Sequence, residues 1–128
     1  MSAAFRCPQC GECALEITAS LEIPPDRDWD EITLQLVGCL HCRLGALGVY
    51  QETRRGRLDS ESWSHTGYRL DPPDAQRIDE IISRCPRPHD SDCLCSAHLE
   101  LGRTNSRLQW DGIAHLPLMA YFKMEMCR

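Results

Sequence analysis

Apolar and polar residues alternate strictly over the first part of the chain. Leu15, Ile17, Ala19, Leu21 and Ile23 interleave with Glu16, Thr18, Ser20 and Glu22. That period of two predicts a strand buried on one face. Pro24-Pro25 closes it, and the acidic stretch Asp26–Asp30 reads as a loop. Ile32, Leu34 and Leu36 resume the alternation up to Gly38, Ala46 to Glu52 predicts a third strand, and Trp63 to Leu70 a fourth. Arg54-Arg55-Gly56-Arg57 reads as the turn between the last two.

The period changes after residue 70. Asp71 is suited to a helix N-cap and Pro72 to the first helical position. Ala75, Ile78, Ile81 and Ile82 then fall on one helical face. Cys85-Pro86 stops that helix, because proline disfavours helical geometry in the residue before it. A second helix is expected from Ser91 or Asp92 towards Gly102, and a strand from Leu118 to Met126. The expected class is α+β: an N-terminal β portion over 1–70, and a helical portion over 71–128 joined to it in one compact unit. Trp29, Trp110, Tyr121 and Phe122 are expected in the core.

Composition adds a question about stability. Apolar residues make up 42% of 128 positions, but nine of them are cysteines, so the remaining core is thin. Thin cores are commonly stapled by disulfides or metals. Nine is odd, the cysteines cluster, and His89 and His98 sit among the third group. Interleaved Cys and His favour metal over a disulfide framework. The N-terminal residues hold no apolar stretch of signal-peptide length, and no apolar run nears the ~18 residues of a membrane helix. The expected setting is reducing and cytoplasmic, away from membranes.

The first ligand set is specified by spacing. Cys7-Pro8-Gln9-Cys10-Gly11 and Cys39-Leu40-His41-Cys42 are two Cys-x-x-Cys pairs, 28 residues apart, with two alternating strands between them. Two intervening residues let a tight turn aim both sulfurs at one ion, and Gly11 permits a positive φ after the pair. Residues 5–52 thereby resemble the zinc-ribbon family, in which a β-hairpin joins two such knuckles. The resemblance implies a structural Zn²⁺ on Cys7, Cys10, Cys39 and Cys42. It departs at Arg43, which stands where glycine is common. An iron–sulfur cluster is the weaker alternative, because the Cys7, Cys10, Cys13 run lacks the Cys-Pro that should follow. Cys13 is expected as a free thiol, and His41 as an alternative ligand.

A second set lies within residues 85–98. Cys85, Cys93, Cys95 and His98 are the first choice for a second Zn²⁺, with His89 a substitute for one cysteine. Cys95 and His98 stand three apart, facing one way on a helix. Catalytic zinc would keep an open position. The zinc deaminases pair such a site with His-x-Glu ahead of the cysteines. Here the near match, His98-Leu99-Glu100, follows them. That ordering weighs against hydrolytic catalysis, and a metal-dependent or redox enzyme centred on Cys85–His98 is the alternative to a non-catalytic role.

Charge narrows the partners. Asp and Glu number 19 against 14 Lys and Arg, a net of −5, which works against phosphate binding. Arg54, Arg55 and Arg57, followed by Trp63, His65 and Tyr68, are the one local exception and outline a small nucleic-acid surface with stacking groups. A solvated turn fits them better, since Glu52, Asp59 and Glu61 surround them. The expected role is a zinc-binding interaction or regulatory module with a protein partner. His115 and Cys127 stand alone in sequence and read as packing or surface residues.

Overall fold

The computed structural model describes residues 4–25, 31–53, 62–108, 110–114, 116 and 118–127. Among these, six strands follow one another as antiparallel neighbours: β1 (Ala4–Phe5), β2 (Leu15–Ile23), β3 (Glu31–Cys39), β4 (Gly45–Thr53), β5 (Ser62–Leu70) and β6 (Tyr121–Lys123). Helices α1 (Pro72–Ser83) and α2 (Ser96–Leu101) lie between β5 and β6. The sheet curls. Residues just past β6 reach back to β1, where Arg6 N–H donates to the Glu125 carbonyl at 2.8 Å, Cys127 N–H to that of Ala4 at 2.9 Å, and Phe5 bridges Met126.

Register divides the core in two. Ile32, Leu34 and Leu36 of β3 oppose Gln51, Val49 and Leu47 of β4. On that face Leu21, Ile23, Leu34, Leu47 and Leu70 pack with Ile78 and Ile82 of α1 and with Ala97 and Leu101 of α2. Val37 opposes Ala46, and on this other face they pack with Phe5, Leu15 and Met124. Strand β2 serves both faces because it carries an irregularity between Ile17 and Ala19. Before it Leu15 and Ile17 oppose Cys39 and Val37; after it Ala19 and Leu21 oppose Leu36 and Leu34. A bulge inserts one residue and so reverses which side chains point inward.

The second half is less helical than the pattern of its residues predicts. Helix α1 starts at Pro72 after Asp71, but the Asp71 side chain makes no cap bond; its backbone carbonyl accepts from Ala75 N–H at 2.9 Å. Helix α2 starts at Ser96 rather than near Ser91. The Asp90 carboxylate accepts from Asp92 N–H at 3.0 Å and its carbonyl from Cys93 N–H at 3.1 Å. Such a local bond offers the backbone a turn in place of a helix. The expected strand over Leu118 to Met126 is real in kind but split between partners. Met119 N–H bonds the Arg69 carbonyl and Met124 N–H that of His65, before the chain crosses to β1. Phe122 and Met124 turn inward, whereas Tyr121 is exposed rather than core. Trp29 lies outside the described residues.

Candidate metal centres

Cys7, Cys10, Cys39 and Cys42 converge, their four sulfurs all within 4.8 Å of one another. The two turns that carry them are built alike. Cys7 N–H donates to the Glu12 carbonyl and Gly11 N–H to that of Cys7; Cys39 N–H donates to Leu44 and Arg43 N–H to Cys39. The residue after each pair is left-handed, with φ of 79° at Gly11 and 67° at Arg43. Arginine therefore adopts the conformation usually left to glycine, and the second knuckle keeps the ribbon-like turn despite its sequence. The strain this costs is about 1–2 kcal/mol.

The distances fit one ion. Sγ of Cys7 and Cys42 are 3.5 Å apart, and those of Cys10 and Cys39 are 3.7 Å apart. A tetrahedron with metal–sulfur bonds of about 2.3 Å has edges of about 3.8 Å. A polynuclear iron–sulfur cluster sets irons and sulfides between its cysteines and needs a wider cage than this. Backbone amides add negative-charge stabilisation: Cys42 N–H points at Cys39 Sγ at 3.4 Å. Burial alone pushes the Cys39 thiol up, but donors from the Cys42 and His41 backbone and from the Cys42 and Cys10 thiols outweigh it and bring it down to about 6. At Cys10 the Glu12 backbone lowers the thiol, while burial and the three other thiols raise it further, up to about 12. Donors converge on the Cys39 sulfur more than on that of Cys10, so negative charge is better stabilised at Cys39. His41 is exposed and outside the donor set.

Cys85, Cys93, Cys95 and His98 form a second group of the same dimensions. Cys85 and Cys93 sulfurs are 3.8 Å apart, and His98 Nδ1 lies 3.2 Å from the sulfurs of both Cys85 and Cys95. Cys95 is the N-cap of α2, its sulfur accepting from His98 N–H at 3.5 Å. Burial raises the Cys95 thiol, but bonds from the His98 ring and backbone, Cys85 and Cys93 outweigh this and draw it to about 6. Burial, with Cys95 beside it, pushes Cys85 up to about 11. His98 is 3% exposed, and its Nε2 lies 2.9 Å from the Glu22 carbonyl of β2. An ion held at Nδ1 would leave the ring proton on Nε2, which would donate to that carbonyl and orient the ring. This bond ties the second group to the strand that leads out of the first. His89 is not among the converging donors; it lines an open cavity beside Cys85.

The remaining cysteines are corrected by the structure. Cys13 is not free and Cys127 is not isolated: they form a disulfide across 114 residues. Glu100, the carboxylate that sequence order places after His98, faces a cavity of about 130 Å³ lined by Asp74, Arg77, Ile78 and Arg103, none of them in either converging donor group. Arg54, Arg55 and Arg57 lie outside the described residues, as does His115. His65 lies 2.6 Å from Gln35 Oε1 through Nε2 and meets Phe5 and Tyr50 edge-on. Tyr68 is three positions further along β5 and so on its opposite face. His65 and Tyr68 therefore form no common stacking platform. No helix among the described residues is long and apolar enough to cross a membrane.

No known protein-family model, curated protein or solved structure matches this chain.

Proposed function

We propose that this protein is a non-catalytic zinc protein, in which two structural Zn²⁺ ions rigidify a small cytoplasmic interaction or regulatory module. One observation carries the reading: two separate sets of four Cys/His donors converge at tetrahedral spacing, one set on each side of the same sheet. Thiolate and imidazole donors in tetrahedral array suit Zn²⁺, and four protein ligands close its coordination sphere. The thin core supplies the reason for two staples. A structural zinc site contributes about 10–16 kcal/mol apparent in small peptides, as much as a whole domain retains as net stability.

A protein partner suits the charge better than nucleic acid does. The chain is already at −5, and thiolate-rich zinc centres make it more negative. Elemental analysis with absorption spectroscopy on natively purified protein tests the metal reading. Two zinc ions per chain, one per donor group, and no visible band near about 400 nm are expected. Iron with visible colour would replace this reading, and retention of full structure after verified metal removal would end the structural role.

A further inference from the structure

Seven of the nine cysteines belong to the two donor groups. A bound ion masks those thiolates from oxidants, so Cys13 and Cys127 are the pair left open to redox chemistry. We propose that Cys13–Cys127 is a reversible redox clasp that sets how tightly the first metal centre holds its ion. The inference rests on the reading that Cys7, Cys10, Cys39 and Cys42 bind metal.

The placement of the two residues carries it. Cys13 is exposed and follows the ligand Cys10 by three residues. Cys127 ends the segment that closes the curled sheet, its N–H on the Ala4 carbonyl. Within that segment Met124 is 5% exposed and packs among Phe5, Leu15, Val37 and the two most buried ligands of the centre, Cys7 and Cys39. The closing segment is thus the apolar cover over the inner side of the ion. Its partner strand β1 is two residues long, and the backbone bonds joining them run from Arg6 N–H to Glu125 and from Cys127 N–H to Ala4. Pairings as short as this open locally at little cost. A disulfide from the segment to the first knuckle loop keeps the cover next to the centre after each opening, so reclosure outruns ligand exchange.

The chemistry needs only a low-molecular-weight disulfide such as oxidised glutathione. The exposed Cys13 thiolate attacks one of its sulfurs, forming a mixed disulfide and expelling one thiolate. The Cys127 thiolate then attacks the Cys13 sulfur, the internal S–S bond forms, and the second small thiolate leaves. Two protein thiols are oxidised, one small disulfide is reduced to two thiols, and the protons lost by the cysteines pass to the leaving thiolates. Excess small thiol reverses both steps.

The test uses the full zinc-loaded chain equilibrated in reduced or oxidised glutathione. Thiol alkylation with peptide mapping should label Cys13 and Cys127 only in the reduced sample. Zinc transfer to a chromogenic chelator, with mapping to show which ligand cysteines become alkylable, should be about tenfold slower from the first centre when oxidised. Cys127→Ser should release zinc at the reduced rate in both buffers. Comparing the two states of the unaltered chain needs no variant to fold. Two bound zinc ions with equal release rates in both states would overturn the clasp alone, as would labelling of both cysteines at every glutathione ratio. Absence of zinc from the first donor group would overturn the clasp and the metal reading together.

Discussion

His98 is the residue whose removal is most informative, because one ring joins the second donor group to the sheet. In His98→Ala the second centre loses one of four donors, and the Glu22 carbonyl loses the Nε2 bond seen at 2.9 Å. Spreading the apparent energy of a structural zinc site over its four ligands gives about 2.5–4 kcal/mol for one donor. A carbonyl left without its partner inside the fold costs about 1–3 kcal/mol more. The sum approaches the net stability of a whole domain, so His98→Ala should lose one zinc per chain and unfold at least the segment around α2. His98→Cys separates the two contributions. Its sulfur sits one bond nearer the backbone than Nδ1, and the longer zinc–sulfur bond makes up part of that difference. It keeps the ion but not the Glu22 bond, and should cost about 1–3 kcal/mol, or a fall of roughly 3–15 °C in Tm for a chain of this size. Zinc stoichiometry and thermal unfolding, measured on the same samples, should rank the native chain above His98→Cys and His98→Cys above His98→Ala. Two zinc ions per chain and an unmoved Tm in His98→Ala would refute both the ligand role and the link to β2.

Other perturbations probe the remaining features. Arg43→Gly relieves a left-handed arginine (φ 67°) and should stabilise the zinc-loaded protein by about 1 kcal/mol, read from denaturant midpoints; a loss of stability would mean that the arginine side chain outweighs its backbone strain. Gly112→Ala would drive a methyl into the Leu101 carbonyl oxygen, the acceptor of the Trp110 Nε1–H bond. It should cost about 3 kcal/mol or more by urea unfolding, so an unchanged midpoint would contradict that close approach. Cys39 and Cys95 are drawn from the ordinary thiol value of 9.0 to about 6. A lowered value contributes stability that is fully present above pH 9 and is lost as pH falls through 6. Bound zinc at fixed chelator should therefore fall on acidification through about pH 6, and loss that grows towards alkaline pH instead would contradict this.

Strands β2 to β5 were legible because each leaves its own period in the chain, whereas two-residue β1 leaves none. Leu15 to Ile23 alternates, β2 spans those residues, and Pro24-Pro25 ends it where expected. The first donor set was equally legible, since two Cys-x-x-Cys turns joined by a hairpin meet as soon as the hairpin forms. The bulge after Ile17 was not legible. The alternation of apolar residues runs through it unbroken, and only pairing with β3 shows that Ile17 and Ala19 serve opposite faces. The start of α2 was misplaced because the Asp90 turn competes locally with helix, and composition does not weigh the two.

The cysteine pair was open to counting. Once His98 rather than a fourth cysteine completes the second group, two of nine remain, but nothing local says that residues 114 apart meet. Local sequence, in short-range periods and turn spacings, determined strands β2 to β5, the first helix and the first donor set, and it ranked Cys85, Cys93, Cys95 and His98 first for the second. The tertiary structure alone decided that each face of the curled sheet carries its own donor group, and that the closing segment brings Cys127 to Cys13. These are long-range pairings, fixed by how the whole sheet curls, and no window of neighbouring residues encodes them.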